Sequence, residues 1–237
     1  GAHIQQYIKT ATVEEVQALL QEAGGVVKMI TLAPELTDAA VIELLLQHNV
    51  LISAGHSNAS FREAMDGFQR GIQAVTHLYN AMSPLHHRDM GLPGAAFASN
   101  AYASIIADGI HVDYEAIKIA KKLMGERLFL ITDAVEEVLE GPYIHVRRSD
   151  RFTLPDGTLS GSCLTMLKAV ENCVRHAHIP LEEAVRMASL YPARLIGAAE
   201  HMGSIQAGSI ANLVVFDAAF QLQRVFFKGE EVNQDNL

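Results

Sequence analysis

Residues 50–80, VLISAGHSNASFREAMDGFQRGIQAVTHLYN, decide the fold. An apolar run closes on His56, Ser60 introduces the amphipathic stretch FREAMDGFQRG, and a second apolar run closes on His77. Short apolar runs alternating with helices are what a parallel sheet covered on both faces requires. Its strands are buried on both sides and lose the alternation of a half-exposed strand. Two histidines at equivalent points of successive units put chemistry at the strand C-terminal ends, the face where a parallel barrel gathers residues distant in sequence.

The pattern extends in both directions. Upstream, TVEEVQALLQEA (12–23) reads as a helix with Thr12 as N-cap and Glu15 completing a capping box, ended by Gly24 and Gly25. The strand VVKMITLAP (26–34) follows, and Thr37 is expected to cap the helix DAAVIELLLQHN (38–49). Downstream, SPLHHRDMGLPG (83–94) is too polar and too rich in Gly and Pro for a core element and is expected to be a binding loop. The strand YASIIADG (102–109) has His111 just beyond it, YEAIKIAKKLMG (114–125) reads as a helix, and LFLITDA (128–134) delivers Asp133. Five barrel-type strands are therefore predicted, beginning at Val26, Leu51, Ala74, Tyr102 and Leu128; a closed (β/α)8 barrel of the TIM type needs eight.

After Asp133 the pattern changes. Residues 141–157 read as a β-hairpin excursion turning at Asp156-Gly157, then LTMLKAVENCVRHA (164–177) and LEEAVRMASL (181–190) resume the outer helices. From Gly203 the chain is rich in strands and turns. The predicted organisation is a partial (β/α) barrel over residues 1–200 and part of a small β-sandwich over 201–237.

At 237 residues, 49% hydrophobic and 19% charged, the chain can bury a large core. A net charge of −9 argues against a nucleic-acid or membrane-surface partner, both of which favour a basic face. The two cysteines, Cys163 and Cys173, offer no disulfide framework and no Cys-x-x-Cys knuckle. With no bilayer-length apolar run and no signal-peptide pattern, a cytoplasmic location is expected. Two imidazoles and a carboxylate at one sheet edge suggest a metal hydrolase: neutral imidazole is the commonest protein ligand for divalent ions, and a nearby carboxylate can move protons.

Seven segments in order resemble the N-acetylglucosamine-6-phosphate deacetylase family of the amidohydrolase superfamily. They are TLAPE (31–35), SAGHSNA (53–59), THLYNAM (76–82), ADGIHVD (107–113), ITDA (131–134), GTLSGS (157–162) and MASLYPAR (187–194). The resemblance implies removal of the acetyl group of N-acetyl-D-glucosamine 6-phosphate, giving glucosamine 6-phosphate and acetate. It implies His56 and His77 as metal ligands, Asp133 as the catalytic carboxylate, and a divalent ion, with zinc first and Fe, Co, Ni or Mn as alternatives. It gives His3 the oxygen of the acetyl carbonyl and Arg88 the phosphate, Arg88 being contributed across a homodimer in this family. Ala2, Asn80, Ala81, His111, Leu159, Ser160 and Gly161 correspond to further substrate contacts. In the family the third ligand is a glutamate in a His-Leu-Glu-Gly-Pro motif upstream of the matched segments; that motif does not occur in this sequence, and the resemblance implies that three barrel strands and the first half of the sandwich are absent from it.

Each assignment has a plainer rival. Strand-end histidines are commonly structural, Asp133 could cap the next segment, Arg88 could be a solvated loop charge, and His3 could fray with the terminus. His86, His87, His145, His176, His178 and His201 read as ordinary structural or surface residues. Three alternatives stay open: the N-acetylgalactosamine epimer as substrate, an amidohydrolase for ring amides or N-acyl amino acids, and a non-catalytic remnant with open sheet edges.

Overall fold

The structure, a computed structural model, describes residues 2–233. Gly1 and residues 234–237, where the expected domain bounds begin and end, lie outside the described residues. Five parallel strands form the main sheet: β1 (Met29–Leu32), β2 (Leu51–Ala54), β3 (Ala74–Val75), β4 (Tyr102–Ile106) and β5 (Leu128–Ile131). Their spatial order follows chain order without reversal, which is the winding of a (β/α) barrel and not of a doubly wound sheet. The sheet accounts for five of a barrel's eight strands.

Four strands start where the apolar runs do, at Leu51, Ala74, Tyr102 and Leu128. The first starts at Met29, three residues after the expected Val26. Val26 is 74% exposed and its N–H donates to Ala23 in the turn that ends the preceding helix, so pairing begins only where Met29 meets Leu51.

The helices between the strands are α1 (Val13–Glu22), α2 (Ala39–Gln47), α3 (Phe61–Gln69), α4 (Gly91–Ala98) and α5 (Tyr114–Met124). Thr12 with Glu15 and Ser60 with Glu63 close capping boxes on α1 and α3, satisfying N–H groups that no helical carbonyl can reach. Thr37 does not cap α2. Asp38 takes the N-cap position, and the Thr37 hydroxyl donates backward to the Ala33 carbonyl at 2.7 Å. The loop expected over 83–94 also ends early, because Gly91, Leu92, Pro93 and Gly94 form the buried first turn of α4. Proline is tolerated in a first turn, where its missing N–H has no partner to lose, and at Gly91 a Cβ would lie 2.7 Å from the Pro84 carbonyl oxygen.

Packing follows the strand burial. Ile52, Ala54, Ile105, Leu128 and Leu130 are buried against Val41, Ile42 and Leu45 of α2 and Ile117 and Ala120 of α5, each large side chain contributing roughly 1.5–3 kcal/mol. After β5 an antiparallel three-stranded sheet forms, with β6 (Val146–Arg147), β7 (Arg151–Thr153) and β8 (Leu159–Ser162). The Asp156-Gly157 turn lies between β7 and β8, with Gly157 at φ 90°. This excursion is wider than a hairpin because β8 returns to the barrel, where Ser162 bridges Ala134 in parallel. Helices α6 (Met166–Arg175), α7 (Leu181–Ala188) and α8 (Leu190–Leu195) restore the outer layer, and β9 (Leu213–Phe216), β10 (Leu222–Phe227) and β11 (Glu230–Glu231) form a second antiparallel sheet. No helix among the described residues is long and apolar enough to cross a membrane.

Candidate active site

The loops at the C-terminal ends of β2 and β3 bring His56 and His77 together, with their Nε2 atoms 2.8 Å apart. The His3 ring stacks on His56, with centroids 3.7 Å apart and planes 8° from parallel. Three histidines from separate parts of the chain therefore share one cluster. Burial and the neighbouring rings of His77 and His3 push the His56 pKa down to about 4. His77 is 4% exposed. Its pKa is lowered by burial, while the Asp133 carboxylate pulls in the opposite direction without prevailing.

His56 (φ 47°), His77 (φ 38°) and Asp133 (φ 49°) all occupy the left-handed backbone region, as do Tyr79 (φ 78°) and Ala81 (φ 48°). That conformation is uncommon for residues with a Cβ and costs of order 1–3 kcal/mol each. Here it turns each side chain sharply off its strand end, and the surrounding bonds enforce it. The His77 N–H donates to the Ser104 hydroxyl at 2.9 Å and Asn80 N–H donates to the His77 carbonyl. Beneath the pair, the Thr76 hydroxyl meets those of Ser53 at 2.7 Å and Thr31 at 2.8 Å. Gly55 precedes His56 because a Cβ there would lie 2.8 Å from Thr31 Cγ2.

Glu35 and Asp108 were quoted within motifs but given no role, and both hold loops of the site. Glu35 accepts from the Ser57 hydroxyl at 2.7 Å and the Asn58 N–H at 2.6 Å. Ser57 N–H in turn donates to the Ala81 carbonyl, so the loops after β1, β2 and β3 are tied together. Asp108 accepts from the His111 ring at 2.6 Å, in the loop between the strands that carry His77 and Asp133. Both are long-range or loop contacts that no periodicity in the sequence encodes.

The β8 residues also arrive at this end of the barrel. Ser162 N–H donates to the Asp133 carbonyl at 2.9 Å, which ties the C-terminal end of β8, the strand of Leu159, Ser160 and Gly161, to the segment that follows β5. Ser160 and Gly161 are buried. His145, expected to be an ordinary residue, has its Nδ1 3.0 Å from the Ser160 hydroxyl. Ala2 lies next to His3. Arg88 is exposed on the turn in which His86 and Asp89 exchange backbone hydrogen bonds, and no described contact joins it to the imidazole cluster.

The donor set fits a divalent cation as two of its ligands. The two Nε2 atoms converge, burial and the neighbouring rings lower the His56 pKa to about 4, and His77 Nδ1 is buried without a hydrogen-bond partner. No group of three or more side chains able to hold a metal ion occurs among the described residues.

The amidohydrolase family profile matches residues 3–232. The N-acetylglucosamine-6-phosphate deacetylase of Haemophilus influenzae is 36% identical over 94% of the chain, and the N-acetylgalactosamine-6-phosphate deacetylase of Escherichia coli O157:H7 is 32% identical over 97%. The crystal structure of the N-acetylglucosamine-6-phosphate deacetylase from Pasteurella multocida superimposes with a TM-score of 0.92 at 36% identity, covering 97% of this chain and 62% of that one. The chain spans 61% and 63% of the two curated relatives.

Proposed function

The chain belongs to the amidohydrolase family, and from that premise we propose that it carries most of the site for metal-dependent removal of the acetyl group from N-acetyl-D-glucosamine 6-phosphate. The observation that carries this reading is the meeting of His56 and His77 at 2.8 Å, beside a carboxylate whose charge His77 feels. The chain's similarity to deacetylases of hexosamine 6-phosphates supports the substrate class.

Members of this family are typically dependent on a divalent metal; we take zinc first, with Fe, Co, Ni or Mn as alternatives. His56 and His77 would hold the ion, which would supply Lewis acidity toward the acetyl carbonyl and lower the pKa of water toward neutral. Asp133 accepts the proton of the attacking water at its carboxylate and then returns it to the amine nitrogen, which cannot leave as an anion. His3, stacked on His56, donates to the carbonyl oxygen as negative charge develops there, a contact typically worth roughly 3–4 kcal/mol. Asn80, Ala81, His111 and the 159–161 segment hold the sugar, with Ala2 beside His3. Arg88 holds the phosphate with its planar fork, from the neighbouring subunit of a homodimer. Residues 1–200 are the catalytic barrel portion and 201–237 part of a small β domain, in a cytoplasmic protein.

Steady-state rates with N-acetyl-D-glucosamine 6-phosphate, its galactosamine epimer and unphosphorylated N-acetyl-D-glucosamine test the reading. The glucosamine phosphate is expected to have the largest kcat/KM, and Arg88→Ala to raise KM for the phosphorylated sugars alone. Equal rates on the unphosphorylated sugar, or an unchanged KM in Arg88→Ala, would favour a different amide substrate.

A further inference from the structure

The loop after β4 contains a buried Asp–His pair to which no role has been assigned beyond sugar contact by the histidine. Asp108 Oδ2 lies 2.6 Å from His111 Nδ1, and the two side chains are 8% and 6% exposed. The other carboxylate oxygen, Oδ1, accepts from the N–H groups of Ile110 and His111, each at 2.8 Å. Burial alone would raise the Asp108 pKa, but the His111 ring and these two N–H groups hold it below the ordinary value. The carboxylate is therefore ionised and can only accept, which makes His111 Nδ1 the donor. With Nδ1 committed, Nε2 is the one ring atom left for a ligand. The loop is placed to use it, because β4 lies between β3, which ends two residues before His77, and β5, which ends two residues before Asp133.

We propose that Asp108 is a positioning residue that fixes the His111 proton on Nδ1 and presents Nε2 as a lone-pair acceptor for a hydroxyl of the sugar substrate. This rests on the substrate reading above for its second half only. Asp108 also closes the turn, and a purely structural role would need only the two backbone bonds. Asp108→Asn separates the two roles. An asparagine oxygen can still accept from Ile110 and His111, while its NH2 group faces Nδ1 and forces the ring proton to Nε2.

The test combines long-range proton–nitrogen NMR of 15N-histidine-labelled protein with kinetics of the metal-loaded enzyme. In the wild type, the neutral His111 ring is expected to carry its proton on Nδ1, and added glucosamine 6-phosphate to shift the Nε2 resonance more than Nδ1. In Asp108→Asn the tautomer inverts, KM for N-acetyl-D-glucosamine 6-phosphate rises about tenfold and kcat stays within about threefold, as expected for loss of one uniform binding contact. A wild-type ring protonated on Nε2 when neutral would overturn the proposal, as would a variant whose KM is unchanged after inversion. If the wild type releases no acetate, the substrate reading fails while the tautomer still decides the role of Asp108.

Discussion

His56 Nε2 and His77 Nε2 lie 2.8 Å apart although 21 residues separate them in the chain. At that distance the N–H of one neutral ring donates to the lone pair of the other, and a cation held by both rings would take the place of that proton. Burial and the neighbouring rings hold the His56 pKa down to about 4, so the ring is neutral near pH 7, the form in which imidazole ligates a cation.

Removing either imidazole should therefore abolish metal retention. Outer-shell substitutions around metal sites typically cost 10–100-fold in affinity, and His56→Ala and His77→Ala are expected to exceed that range. Metal content after dialysis, measured by elemental mass spectrometry, checks this. Stoichiometric metal in both variants would contradict the assignment.

The backbone beneath the pair is equally constrained. A Cβ at Gly55 would meet Thr31 Cγ2 at 2.8 Å and Thr76 Cβ at 3.0 Å, both parts of the hydroxyl ladder. Gly55→Ala should destabilise by about 1–3 kcal/mol through overpacking, read as a lowered urea midpoint with unchanged m-value.

On the outer layer, Glu183 pairs with Lys121, accepts the Tyr191 hydroxyl at 2.8 Å and meets Arg186. Burial opposes its ionisation, but Lys121 and Tyr191 prevail and the pKa is lowered. A carboxylate with a depressed folded pKa contributes stability that is present above its unfolded value and lost as pH falls through the folded one. Glu183→Gln should thus cost about 1–3 kcal/mol at pH 7, with the gap to wild type narrowing below pH 4.5. Chemical denaturation across that range measures it, and a gap independent of pH would contradict the pairing.

The two thiols should differ in reactivity. Cys173 is fully buried and its pKa is pushed up to about 12 by burial, whereas Cys163 is partly exposed. One thiol per chain is expected to react with a disulfide reagent at pH 8 in the native protein, and two in denaturant.

What was legible in the sequence was local or periodic. The Thr12 and Ser60 caps and four strand starts hold because each depends on residues a few positions apart. Thr37 and Asp38 are adjacent candidates for one N-cap, and composition does not decide between them; Asp38 occupies the position, without a side-chain cap bond. The first turn of α4 was hidden by Gly91, Pro93 and Gly94, whose small size serves packing there and not a loop. His56, His77 and Asp133 could be singled out because each ends an apolar run. The Glu35 bonds to the loop after β2 depend on contacts between separate strand ends, which only the folded sheet creates, whereas the Asp108 hold on His111 is local but has no periodicity to mark it.

Acetate release from N-acetyl-D-glucosamine 6-phosphate, followed in the metal-loaded wild type, after chelation, and in Asp133→Asn, tests the central claim most directly. Acetate should appear in equal amount to glucosamine 6-phosphate, vanish with chelator and return with zinc. Asp133→Asn should lose about 10²–10⁴-fold in kcat while retaining its metal. A rate unaffected by chelation, or an Asp133→Asn variant as fast as wild type, would contradict a site in which His56 and His77 hold a cation for Asp133 to work beside.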